Sequence, residues 1–513
     1  MNKRNYNILF HTHTVSGIVI SVVLYIIFFA GSFSFFKDEI INWERNESAT
    51  RSNDIHLDVD TALDSLDKTY SLFGRDISIE KHTMENRVNV SLKPSKDSLA
   101  TSQAKSAHFF YLDTQNYTTH SYVDSYSLGE FLYRLHFLAQ IKYPVGYYLS
   151  GFTAFFFLFA ILTGLWIHWK KIISNFHVFR PWAKLKSMWT DAHTALGMIG
   201  LPFQFVYAVT GTFFMIKLLV VAPNIMVLYN GDKQQLFKDL EYTPTSYNFH
   251  HQPTKEILNI DACMLKVKQK WNGLEINKVY IHNYGDRNMH VSVEGILPYK
   301  EAFTGIAQMT FDANGTLISE KSPQKASYLE SVKNILYRIH FGDYGGYFLK
   351  IISFLLGLLS CFVIISGVMI WLTARKKKNI PEQKRRFNAK VVLIYLAVCL
   401  SMYPITALSF IAVKVFAQHM SQSFIYAFYF IGWLIFTVYF IIKKDLYYIN
   451  KWTLKLGSYI GLCIPITNGF VTGNWFWTSF KQQQFQLFFI DFFWICLSIL
   501  TLWISFKIKR KDH

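Results

Sequence analysis

Long apolar runs alternate with polar segments along the whole chain. Apolar runs fall at about 15–36, 146–168, 195–218, 347–373, 391–413, 423–442, 455–473 and 486–506. A helix needs roughly 20 apolar residues to cross a hydrocarbon layer of about 30 Å, so each run predicts a membrane span. The run at 455–473 is the least regular, because Pro465, Asn468 and Gly469 interrupt it. Two long polar segments, about 37–130 and 219–335, separate these runs, and in both the periodicity changes. The first carries "VDTALDSLDKTY" at helical spacing, then "DISIEKH", "RVNVSLK" and "HFFYLDTQ" with strand-like alternation. The second carries a helical "ILNIDACMLKVKQKW", then "INKVYIHN", "NMHVSVEG" and "AQMTFDANGTLISEK", in which "DANG" signals a turn between two strands. The pattern predicts a polytopic α-helical membrane protein of about eight transmembrane helices with two small α+β units.

Composition agrees with that class. The chain is 51% hydrophobic and 18% aromatic, with 47 Phe and 30 Tyr, which is too apolar for an ordinary soluble enzyme. The net charge of +18 changes the picture through its placement. Lys3 and Arg4 precede the first run, and Lys170 and Lys171 follow the second. Arg375–Lys378 and Lys384–Arg386 follow the fourth, Lys443 and Lys444 the sixth, and Lys507–Lys511 the eighth. All fall on one side if both termini are cytoplasmic, as the positive-inside rule requires. Both polar segments then lie outside, and nucleic acid is excluded as the reason for the basic charge. None of the five cysteines forms a CxxC pair, so no disulfide framework, zinc site or iron–sulfur site is supported. The first apolar run lacks a clear small-residue cleavage site and reads as a retained span.

The chain also repeats itself. "HTHTVSG" at 11–17 and "DAHTALG" at 191–197 share H-T-x-x-G, and Gly31 and Gly211 each stand 18 positions after the shared histidine. "YRLHF" at 133–137 matches "YRIHF" at 337–341, each before an apolar run that ends in Thr163-Gly164 or Ser366-Gly367. Residues 1–378 therefore read as two copies of one unit, expected to pack about a pseudo-twofold axis. That topology places His13 and His193 at one face of the membrane and His136 and His340 at the other.

Histidines at the ends of apolar runs are candidate ligands. Histidine is the commonest metal ligand, and polar residues in spans are costly and by default functional. Two imidazoles suit a six-coordinate haem iron, which favours electron transfer. Zinc would want further Cys, His or carboxylate ligands, which the spans lack. Gly17, Gly31, Gly164, Gly197, Gly211 and Gly367 would admit either a flat macrocycle or a neighbouring helix. His11 lies about 200° around the helix from His13, and the repeat selects His13. His168 has no repeat partner and reads as interfacial. His250, His251, His282 and His290 read as surface residues of the second polar segment, and His419 has no evident partner.

The stretches "HTVSG", "YRLHF…GYYLSG…LTGLWIHWKK", "DAHTALG…VTGTFF" and "YRIHF…ISGVMIWLTARKKK" resemble the PepSY-associated transmembrane proteins, among them PiuB-like iron-regulated membrane proteins and inner-membrane ferric-siderophore reductases. The resemblance covers about residues 1–378. It implies a bacterial inner-membrane oxidoreductase with b-type haem, two of them, held by His13, His136, His193 and His340. It also implies reduction of a ferric siderophore or other iron chelate outside. Its organisation would be a first helix (1–36), a PepSY-like domain (37–130), helices two and three (131–218), a second PepSY-like domain (219–335), helix four (336–378) and four additional helices (379–513). No dinucleotide fingerprint is visible. Electrons would come from a quinol or a separate donor protein. The alternatives are a peptide-binding or protease-regulating PepSY protein without redox activity, and a transporter.

Overall fold

The computed structural model describes residues 2–49, 52–82, 84–169, 180, 185–240, 245–254 and 256–510. It divides into two compact units. One comprises Met1–Asn46, Ser127–Pro223 and Ile339–His513, the other Glu47–Tyr126 and Asn224–Arg338.

The first unit is helical. Among the described residues, seven segments are long and apolar enough to cross a membrane: Lys3–Ser34, Val145–His168, Lys186–Lys217, Asp343–Ala374, Glu382–Val415, Gln422–Lys443 and Phe485–Lys507. They cover seven of the eight runs expected from the sequence. The eighth, 455–473, lies in a continuous helix, Leu446–Thr472, but Asn450, Lys451, Lys455 and Asn468 make that helix less apolar. The first helix, α1 (Lys3–Ser34), begins well before its apolar run, so His13 lies inside a helix and not at its tip. α1 packs against the short helix Leu128–His136 and the spans Val145–His168 and Gly346–Ala374. Aromatic rings fill much of the interior: Phe33 meets Phe354 and Trp494 at ring-centre distances of 5.5 and 6.0 Å. Asp491 and Lys414 are among the ionisable residues buried in this unit. Asp491 accepts from Trp43 Nε1 and Asn468 Nδ2 at 2.9 Å each, and Lys414 donates to the Trp43 carbonyl. Those bonds tie the C-terminal helices to the segment after α1, and they satisfy a carboxylate that would be costly to bury unpaired.

The second unit contains a single eight-stranded antiparallel sheet. Its strands are β1 (Ile77–Glu80), β2 (Arg87–Leu92), β3 (His108–Asp113), β4 (Thr119–Ser121), β5 (Glu275–His282), β6 (His290–Ile296), β7 (Ala307–Asp312) and β8 (Leu317–Lys321), in the order β4-β3-β2-β1-β5-β6-β7-β8. The sequence predicts two α+β units, one in each polar segment. The two segments instead join edge to edge through β1 and β5, with Ile79 opposite Val279. Pairing satisfies the backbone groups that two four-stranded sheets would each leave open at an edge. Alternation puts Ile77, Ile79, Val88, Val90, Val279, Ile281, Val291 and Val293 on one face, where helices Val59–Tyr70 and Ile260–Lys270 cover them in one shared core. The two helices cap each other. The Asp60 carboxylate accepts from Ile260 N and Asp261 N at 2.9 and 3.0 Å, and the Asp261 carboxylate accepts from Val59 N and Asp60 N at 3.2 and 2.9 Å. The "DANG" turn forms as expected, with Asp312 accepting from Asn314 N and Thr316 N and Gly315 at φ 76°.

Candidate functional site

The four histidines singled out by the sequence come together two and two. The rings of His13 and His193 are 6.1 Å apart at 75°, and those of His136 and His340 are 6.0 Å apart at 46°. His13 stands on α1 and His193 on the helix Leu185–Leu228. His136 and His340 end two short helices of their own, Leu128–His136 and Tyr328–Phe341, which precede their spans instead of forming part of them. The seat of His136 at Ile27 lies 14 residues beyond His13 on α1, about 21 Å along its axis at 1.5 Å per residue.

Three of the imidazoles are seated by one local device. His13 Nδ1 is 2.8 Å from the carbonyl of Ala160, and Gly164 lies one turn further along that helix. A Cβ at Gly164 would stand 3.0 Å from His13 Cε1. His193 Nδ1 is 3.0 Å from the carbonyl of Val363, with Gly367 one turn on and a Cβ there 3.3 Å from His193 Cε1. His136 Nδ1 is 2.8 Å from the carbonyl of Ile27, with Gly31 one turn on and a Cβ there 2.5 Å from His136 Nδ1. The carbonyl holds the ring, and the bare glycine gives it room to lie against the helix. This is the structural use of Gly31, Gly164 and Gly367, which the sequence left open between macrocycle and helix contact. Gly211 instead faces Ala154, whose Cβ a Cβ added at Gly211 would meet at 3.3 Å. At Gly17 and Gly197, each one turn after a histidine of the first pair, an added Cβ would meet nothing within 4 Å or only a Val363 methyl at 3.9 Å.

His340 is seated differently. Its Nδ1 is 2.7 Å from Thr210 Oγ1, and Tyr207 OH donates to its carbonyl at 2.9 Å. Neither Thr210 nor Tyr207 was singled out by sequence. Their signal is faint, a hydroxyl one position before the repeated Gly211 and another one turn earlier.

A peptide carbonyl has no proton to give. A neutral imidazole bound to one through Nδ1 therefore carries its hydrogen there and keeps the Nε2 lone pair. This second hydrogen bond is the usual way a ligating histidine is oriented. Among the described residues, no group of three or more His, Cys, Asp or Glu side chains comes together to hold a metal ion.

The other histidines singled out by the sequence lie outside the two ring pairs. His11 is exposed and packs on Phe10. His168 lies within electrostatic reach of His193. His250, His251 and His419 are exposed. His282 and His290 are not surface residues: they are buried, face each other across β5 and β6, and pack on Tyr247 at 4.9 and 3.7 Å. Burial, the largest effect, together with Lys96, Lys93 and His290 pushes the His282 imidazole down to about 4 against the pull of Asp76.

Residues 10–374 match the PepSY-associated TM region. The chain belongs to that family. The match takes in all four paired histidines and ends where the span Gly346–Ala374 ends, so the helices from Glu382 onward lie beyond the family region. Comparison with the curated proteins gives no match.

Proposed function

We propose that this PepSY-associated membrane protein is a haem b-containing oxidoreductase of the bacterial inner membrane that passes electrons outward to a ferric siderophore or a similar iron chelate. One observation carries the reading: two histidine pairs, each with rings 6.0–6.1 Å apart, with three of the four Nδ1 atoms on backbone carbonyls. With a metal–nitrogen bond of about 2 Å and about 1.1 Å from nitrogen to ring centre, that separation would let both imidazoles of a pair reach one iron. A porphyrin brings the remaining ligands, which fits sites of two protein ligands each. His13 and His193 would hold one haem and His136 and His340 the other. Haem supplies a one-electron carrier where charged reagents cannot pass.

The protein's own residues orient and enclose. Ala160, Val363 and Ile27 fix three rings through their carbonyls, and Thr210 fixes the fourth. The open faces of Gly17 and Gly197 leave space beside His13 and His193. Hard oxygen ligands hold iron(II) less firmly than iron(III), so a single electron loosens a chelate. Electrons enter from a quinol or a separate donor protein.

The same reading takes Leu446–Thr472 as an eighth span. It packs along Met402–Val415 and Phe485–Lys507 and, at 27 residues against 23 for Phe485–Lys507, is long enough to cross. Eight spans return both termini to the cytoplasm, put the sheet unit outside and place the cationic clusters inside. The two halves of the sheet are then the two PepSY-like copies of the repeat. The alternative, peptide binding without redox activity, draws on the exposed edge strand β8, which offers a free ladder to an extended peptide.

The test is reoxidation. Anaerobically reduced protein mixed with a ferric chelate should lose its reduced-haem bands as ferrous iron appears in a trap. Reduced bands that persist under excess chelate would contradict a reductase.

A further inference from the structure

Of the four Nδ1 atoms, three rest on a peptide carbonyl and one does not. The cause is in the sequence. Thr210 stands 17 positions after His193, and the residue 17 positions after His13 is Ala30. Ala30 offers no hydroxyl, so His136 takes the Ile27 carbonyl one turn earlier. At Tyr207, the position matching Ile27, the side-chain hydroxyl bonds the backbone of His340 instead.

The direction of the Thr210 bond follows from its other partner. Thr210 Oγ1 donates its one hydrogen to the Val206 carbonyl at 2.7 Å. Its oxygen is then an acceptor for His340 Nδ1–H, which leaves Nε2 free. The serine beside His193 is arranged otherwise. Ser366 Oγ also donates to a carbonyl, that of Val363, but His193 Nδ1 reaches that same carbonyl at 3.0 Å.

We infer that Thr210 sets the reduction potential of the outer pair, His136 and His340, above that of the inner pair, His13 and His193, by giving His340 a hydroxyl where His13, His136 and His193 each have a peptide carbonyl. The inference rests on the haem reading above. A strong acceptor on Nδ1–H draws the proton away from the ring and makes the ligating nitrogen more basic, which favours iron(III). A hydroxyl oxygen is a weaker acceptor than a peptide carbonyl. It leaves His340 the less basic imidazole and favours iron(II) at its site. One electron then runs downhill from inside to outside. With haem bound, His13 and His193 would hold the one-electron donor and His136 and His340 the one-electron acceptor, so that the electron lost inside is the one gained outside. Thr210 is a positioning residue here, since it acts through His340.

The test is a spectroelectrochemical titration of the full-length protein purified from haem-replete cells. Two midpoints are expected, and His13→Ala, which keeps the outer pair alone, should retain the higher one. Thr210→Val preserves shape but removes the acceptor. The higher midpoint should rise further, by on the order of tenfold in the electron distribution between the sites, or about 59 mV for one electron, while the lower stays in place. Thr210→Ser should restore the wild-type value. An outer midpoint at or below the inner one in wild type overturns the inference without any Thr210 variant. So does Thr210→Val protein with both midpoints unmoved or both moved together. Protein that binds no haem at all overturns the haem reading and this inference with it, a result distinct from two haems with unmoved potentials.

Discussion

His136 lies directly against Gly31, so closely that a single added carbon at that glycine would stand 2.5 Å from the imidazole Nδ1. The three glycine seats are graded in the same way, at 3.0 Å for Gly164 against His13 and 3.3 Å for Gly367 against His193. Gly31→Ala should therefore displace His136 and abolish the haem of the His136–His340 pair while sparing the other. Gly164→Ala should weaken the His13–His193 site, and Gly367→Ala should be the mildest of the three. Gly17→Ala meets no protein atom within 4 Å, so any loss of haem there would report a contact with the cofactor and not with the protein. Haem per chain in each purified variant decides the order. Equal retention in all four proteins would mean that the glycines do not seat the rings.

Reciprocal capping by Asp60 and Asp261 binds the two halves of the sheet unit at their helix N-termini. Asp60→Asn or Asp261→Asn should each cost about 1 kcal/mol, in the usual range for a lost cap. The double variant should cost less than the sum of the two, because both act on one junction. Chemical denaturation of the full-length protein in detergent, followed by amide hydrogen exchange in β1 and β5, measures this. Strict additivity would show that the caps act independently.

The sheet unit should lose stability in mild acid through His282. Its folded value is lowered from 6.5 to about 4, chiefly by burial, with Lys96, His290 and Lys93 opposing its charge and Asp76 favouring it. Below pH 6.5 the unfolded chain takes up a proton that the folded chain refuses, so stability falls as pH drops from about 6.5 to about 4. Glu80 adds a second, lower window. Its carboxylate is held near 2 by His82, Ser78 and Lys278 against burial, and it stabilises the fold above pH 4.5 and loses that effect toward pH 2. His282→Gln should flatten the profile between pH 6.5 and 4 and leave the lower window in place. An unchanged profile in that variant would assign the acid sensitivity elsewhere.

Much of this molecule was legible in the order of its residues. Period-two alternation located β1, β2, β3 and β5 to β7, because one face of each strand is buried in the shared core, whereas β8 is exposed and was marked by the turn before it. The two histidine pairs were legible because polar residues at matching depths in apolar runs are costly, and the H-T-x-x-G and R-x-H-F repeats match them two and two. The union of the half-sheets through β1 and β5 was not legible. It depends on which edges meet across about 200 residues, and both edges carry ordinary strand sequences. The seats at Ile27, Ala160 and Val363 were hidden because they are backbone carbonyls, which any residue supplies; only the glycine one turn later leaves a mark. His282 and His290 read as surface residues because their burial comes from Tyr247, a loop residue packed on the sheet.

The most direct test of the account is haem content against the four histidines. Protein purified from haem-replete cells should show a b-type reduced-minus-oxidised spectrum with about two haems per chain, falling to about one in His13→Ala, His193→Ala, His136→Ala and His340→Ala, since each iron needs both imidazoles. His11→Ala, on the far side of the helix, should keep both. Absence of haem in the wild type, or full retention in His193→Ala and His340→Ala, would contradict the assignment of the paired histidines as haem ligands.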